Sequence, residues 1–118
     1  MMQLTKTHLR YLLAIYELAQ TSTGVSAGEV AKTLAVSKPS VTRMMGLLME
    51  KGLLNRERYG KVFLTDTGVQ VAREYRGRLQ QLQGLIPRMG LTLSEEELAD
   101  TAYLLAASLP EHAVGGNA

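Results

Sequence analysis

Apolar residues recur at helical spacing from Thr7 to about Gln20. Leu9, Leu12, Leu13, Tyr16 and Ala19 fall on one broad face, which predicts a helix with one buried side. Thr21-Ser22-Thr23-Gly24 breaks the pattern and predicts a loop. Ser26 stands where it can cap a second helix, in which Val30, Ala31 and Leu34 form an apolar stripe. Ala31 is small where a neighbouring helix would cross closely. Ala35-Val36 predicts a tight turn with the Val36 side chain tucked beneath it, and Ser37 then caps a third helix. Pro39 is tolerated there because its missing N–H lies in the first turn. Val41, Met44 or Met45, and Leu48 give the third helix its buried face. Lys38, Ser40, Thr42 and Arg43 are left on its open side.

The third helix ends at Lys51-Gly52, a C-cap sequence. Leu53–Gly60 and Lys61–Leu64 read as two short strands turned at Tyr59-Gly60, with Arg56, Arg58 and Lys61 near the tip. A hairpin directly after such a helix pair is the wing of a winged helix-turn-helix. Thr65 is placed to cap a further helix running through Val69, Ala72 and Leu79 towards Ile86, where Pro87 stops it. At about 20 residues this helix is roughly 30 Å long. That is too long to be buried at both ends against a domain of about 65 residues, so part of it needs another surface. Ser94-x-x-Glu97 is a capping box. After it, Leu98, Ala102, Leu105 and Leu109 repeat on one face up to Pro110. The pattern divides the chain into a winged domain (1–65), a helical dimerisation region (66–110) and a tail (111–118) expected to be disordered.

Composition narrows the function. The chain has 118 residues, of which 46% are hydrophobic, enough for one small core that an oligomer interface would help. It contains no Cys, which excludes disulfides and thiolate metal sites and suits the cytoplasm. There is no apolar run long enough to span a membrane and no basic-then-apolar leader, so neither a span nor secretion is expected. Residues 1–65 carry nine Lys and Arg against four Glu, whereas residues 66–118 carry four Arg against seven acids. Such a split suits polyanion binding by the first part and association by the second.

A helix pair of this kind places its second helix in the DNA major groove. Lys38, Ser40, Thr42 and Arg43 sit at the end that meets base edges. Arg43 can bond guanine bidentately, while Ser40 and Thr42 suit phosphates, bases or a thymine methyl. Arg56, Arg58 and Lys61 suit phosphate or minor-groove contact. His8 and His112 are the only imidazoles and lack partners at ligand spacing. Met44, Met45 and Met49 read as packing residues. No Ser/His/Asp set, phosphate loop or paired-carboxylate cleft can be assembled, so the chain is not expected to be an enzyme.

Four segments carry a family resemblance: Leu12-Leu-Ala-Ile-Tyr-Glu-Leu18, Val30 to Arg43, Glu50-Lys-Gly-Leu-Leu54 and Val62-Phe-Leu-Thr-Asp-Thr-Gly68. Together they resemble the iron- and manganese-dependent repressors of the diphtheria-toxin-repressor family. The resemblance spans about residues 5–110 and is densest over 9–68. It implies a winged domain, a helical dimerisation arm and DNA binding. It also implies divalent metal sensing, by ligands that would align with Arg10, Leu13, Gly77, Tyr103, Ala106 and Ala107. None of these is a carboxylate or imidazole of the kind Mn²⁺ and Fe²⁺ need, so no metal cofactor is expected.

The sequence thus predicts a mainly α protein: a winged helix-turn-helix followed by a helical arm. It would be a homodimer joined through Leu98, Ala102, Leu105 and Leu109, repressing transcription from a palindromic DNA operator. One alternative is an Mn/Fe-responsive repressor using a displaced acidic site around Glu95, Glu96, Glu97 and Asp100, with Glu111 and His112. Another is a winged-helix module that binds protein and not DNA.

Overall fold

The Thr5 hydroxyl accepts the backbone N–H of His8, and His8 Nδ1 accepts that of Thr5, both at 3.1 Å. This reciprocal cap starts helix α1, Lys6–Ala19, and gives His8 a structural role. In the computed structural model, which describes residues 3–113, four further helices follow. They are α2 (Ala27–Leu34), α3 (Lys38–Glu50), α4 (Asp66–Leu85) and α5 (Glu95–Ser108). Strands β1 (Leu54–Arg56) and β2 (Val62–Leu64) lie between α3 and α4. The fold is mainly helical, as the periodicity predicts. It forms two compact units, Arg10–Ala72 and the chain up to Leu9 together with that from Arg73 onward. The divisions fall inside α1 and α4.

In the unit Arg10–Ala72, Leu12, Ile15, Val25, Val30, Val41, Leu48, Leu53 and Val62 are fully buried. Of the two methionines left open by the spacing, Met45 faces inward and Met44 is half-buried. The strands pair antiparallel, with Leu54 opposite Leu64 and Arg56 opposite Val62. Sequence pattern alone misses a third partner. Val25 exchanges both backbone hydrogen bonds with Val62, at 2.8 and 2.9 Å. The segment before α2 is therefore stitched to the stem of the hairpin. Gly24 makes this approach possible, because a Cβ there would lie 2.9 Å from Glu57 Oε1 and 3.2 Å from the Lys61 side chain.

In the other unit, Leu79, Leu82, Ile86, Ala102 and Ala106 are buried. Ser94 and Glu97 form the predicted capping box of α5. Arg78 of α4 donates to the carbonyls of Ala106, at 3.2 Å, and Glu111, at 2.9 Å. Its guanidinium carbon lies 5.1 Å from the Tyr75 ring centre, within cation–π range. Glu111–Ala113, assigned by pattern to the tail, form a single 3-10 turn; the rest of the expected tail, 114–118, lies outside the described residues. Among the described residues no helix is long and apolar enough to cross a membrane.

Two sequence expectations need correction. Val36 does not tuck under its turn but stays 37% exposed. The reversal rests instead on Ala35, which adopts left-handed backbone at φ 56°, and on the Val36 N–H donating to Ala31 O at 3.1 Å. Ala102 is completely buried within the chain, so it has no surface to offer a partner. Leu98, Leu105 and Leu109 are half-buried.

Candidate nucleic-acid interface

The α2–turn–α3 unit is held at both helix starts. Ser26 accepts the Glu29 N–H at 3.1 Å, while Glu29 accepts the Ser26 N–H at 2.9 Å. The Ser26 backbone N–H first, and the Ser26 hydroxyl second, hold the Glu29 carboxyl below its ordinary range, and Lys61 adds a smaller pull. At the start of α3 the Ser37 hydroxyl accepts the Ser40 N–H at 3.2 Å and donates to the Ser40 hydroxyl at 2.8 Å. Ser40 is accordingly a half-buried part of the cap, with its own hydroxyl proton left to donate outward.

With Val41, Met45 and Leu48 buried beneath it, α3 turns Lys38, Thr42 and Arg43 to solvent. Lys38 stands at the first helical residue, where the helix's own N–H groups and positive dipole end also favour a phosphate. The seam to the hairpin is tight: α3 packs against β1, and Leu53 N–H donates back to Leu48 O at 3.0 Å.

The wing basics divide by position. Arg56 ends β1 and is exposed. The side chain of Arg58 lies outside the described part of the structure, though its backbone opens the 3-10 turn Arg58–Gly60. Lys61 is exposed, but its stem lies over Gly24, its charge acts on Glu29, and its carbonyl accepts the Glu57 N–H at 2.6 Å. It belongs to the stem of the wing more than to its tip. Sequence reasoning passed over Tyr59, which is 94% exposed at that tip with φ 64°. Its signal was available: a bulky residue at a turn position that favours Gly or Asn.

The positions where the resemblance would put metal ligands do not fit a metal. Leu13 and Ala106 are buried hydrocarbon, Arg10 brings a cation, and Gly77 and Ala107 offer no side-chain donor. Two members of the alternative acidic cluster are engaged elsewhere. Glu97 Oε1 accepts the Ser94 N–H at 2.8 Å, and Asp100 Oδ1 lies 3.1 Å from Lys6 Nζ. Among the described residues, no group of three or more His, Asp or Glu side chains could hold a metal ion.

Comparison with known proteins agrees with this geometry. Residues 3–62 match the family model described as iron dependent repressor, N-terminal DNA binding domain. No curated protein matches the chain. Among solved structures it is similar to the manganese-activated repressor ScaR with bound Zn²⁺, at 29% identity over 89% of this chain and 48% of that one, TM-score 0.64. It also resembles the manganese regulator SloR, at 24% identity over 92% of this chain and 49% of that one, TM-score 0.73. A hypothetical protein from Sulfolobus solfataricus is 21% identical over 92% of this chain and 82% of that one, TM-score 0.70. The last two likenesses concern the fold alone. The chain spans about half the length of ScaR and SloR.

Proposed function

This chain belongs to the iron-dependent repressor family, and from that membership we propose that it represses transcription as a homodimer bound to a palindromic DNA operator, without metal as its switch. One observation carries the DNA reading: α3, capped at Ser37, presents Lys38, Thr42 and Arg43 on an exposed face while its other face is buried. A helix held this way offers its N-terminal side chains to base edges from a backbone that is already ordered before binding. Two such helices in a two-fold dimer would stand about 34 Å apart, one turn of B-DNA.

Exposure supports a dimer surface in the C-terminal part of the chain. Leu85, Met89, Leu91, Leu93 and Leu104 are exposed, between 37% and 66%, a concentration of apolar side chains that supports association. They replace Ala102 in the expected interface, beside the half-buried Leu98, Leu105 and Leu109. Leu104→Glu should convert a dimer at tens of micromolar into a folded monomer, read by sedimentation equilibrium. An unmodified protein that sediments as a monomer at that concentration would refute the assignment.

Selection of bound sequences from random duplex DNA, with a chelator or with about 100 μM Mn²⁺, tests the rest together. Two half-sites related by a dyad and spaced by about ten base pairs are expected. Affinity for the selected duplex should be the same in both conditions, because the ligand positions lack carboxylate and imidazole donors. Ligand saturation a hundredfold above Kd stabilises a fold by about 2.7 kcal/mol, so a melting temperature raised by Mn²⁺ together with tighter binding would overturn metal independence. Failure to enrich any duplex would overturn DNA binding and favour a protein partner.

A further inference from the structure

The tip of the wing holds a residue that the fold does not need there. Tyr59 has φ 64° and ψ 25°, the left-handed region that Gly and Asn enter freely and a Tyr enters at a cost. Its side chain is 94% exposed, so burial gives nothing back. No other large apolar or aromatic residue of the described chain is as exposed. A costly backbone conformation that projects an aromatic ring into water is a reason to look for what that ring meets.

Its surroundings point to DNA. The tip follows the basic strand end at Arg56 and includes Arg58 in its turn. The hairpin begins just beyond the C-terminal end of α3, and the base-reading side chains stand at the other end. The hairpin follows α3 directly and is bonded to it through Leu53 N–H and Leu48 O, so with the start of α3 in the major groove its exposed tip is a candidate for the flanking sugar–phosphate backbone. The exposed ring is neutral and amphipathic: its faces suit the apolar deoxyribose wall, and its hydroxyl can donate to a phosphate oxygen.

We propose that Tyr59 is a DNA-contact residue of the wing, its ring packed on the sugar–phosphate wall of the minor groove and its phenol hydroxyl bonded to a phosphate. The assignment rests on the DNA-binding reading above. It gives the wing a contact that is independent of charge and of sequence, complementing the base contacts of α3.

Fluorescence anisotropy with the selected operator and with an unrelated duplex, at two or more salt concentrations, tests it on Y59G, Y59N and Y59F. Y59G and Y59N suit the left-handed backbone, so they should melt no lower than the unmodified protein; Y59N controls for the freedom glycine adds to the unfolded chain. Both should bind both duplexes about tenfold more weakly, the scale of one aromatic contact to a nucleic acid. Because Tyr59 is uncharged, the salt slope should stay unchanged, whereas Arg56→Ala should lower it by about one unit. Y59F keeps the ring and should lose less than Y59G. If Y59G binds within twofold of the unmodified protein while Arg43→Ala is impaired, Tyr59 is idle and the DNA-binding reading stands. If the unmodified protein binds no duplex, both fall.

Discussion

Gly68→Ala is expected to lower the melting temperature by roughly 10–20 °C, from about 3 kcal/mol of lost stability in a chain of this size. Helix propensity predicts the opposite sign, since Ala is favoured over Gly inside a helix by about 1 kcal/mol. Gly68 lies in the first turn of α4, where its N–H donates to the Thr65 hydroxyl at 2.9 Å. A Cβ there would overlap the carbonyl oxygen of Leu53 and come within 3.0 Å of its carbonyl carbon and 3.2 Å of Leu64 Cδ2. Leu53 cannot yield, because its side chain is fully buried and its carbonyl also accepts the Thr65 N–H at 3.0 Å. The start of α4 and the entry to the wing would have to separate. The same helix supplies the control. Gly77 and Gly84 have nothing within 4 Å of an added Cβ, so alanine at either should stabilise by up to about 1 kcal/mol. Thermal melts followed by circular dichroism separate the cases, and a Gly68→Ala protein melting as high as the unmodified one would refute the packing argument.

Arg43→Ala should weaken binding to the selected operator by about 10- to 100-fold, or roughly 1–3 kcal/mol, and relax preference at one base pair. The motive is position: Arg43 is exposed on the helix whose other face is buried, and a guanidinium there can bond guanine bidentately. Affinity for an unrelated duplex should fall much less, since what is lost is base reading. Competition anisotropy with single-base operator variants measures both. Unchanged affinity for every variant would remove Arg43 from the interface.

Elements set by local rules were legible in the sequence. The helical periods, the caps at Ser26, Ser37, Thr65 and Ser94, and the stop at Pro87 each depend on residues within one or two turns, and each stands where those residues put it. What escaped depends on distant partners. The bond pair between Val25 and Val62 crosses 37 positions, and nothing in the Thr21–Gly24 loop announces it. Ala102 looked like a free face because helical period marks a stripe as apolar without saying what covers it. Leu85, Met89, Leu91 and Leu93 lie at the end of α4 and in the connector, where period offers no face to compare. At the candidate site, the exposed edge of α3 followed from its apolar face. The division between Arg56 and Lys61 did not, because it depends on Gly24 and Glu29 from an earlier part of the chain.

The last carbonyls of a helix gather partial negative charge and favour a cation. In α5 that cation is the Arg78 guanidinium, tethered to the neighbouring helix and seated on the carbonyl of Ala106 and, beyond the end of α5, on that of Glu111. A free ion at such a place would come and go with its concentration, and its occupancy would report that concentration to the protein. A tethered one has a fixed effective concentration and no reservoir to exchange with. A chelator cannot remove it, and it carries no information about the medium. The contact that closes this end of α5 therefore contributes a constant to the stability of its unit, whatever the ionic content of the medium.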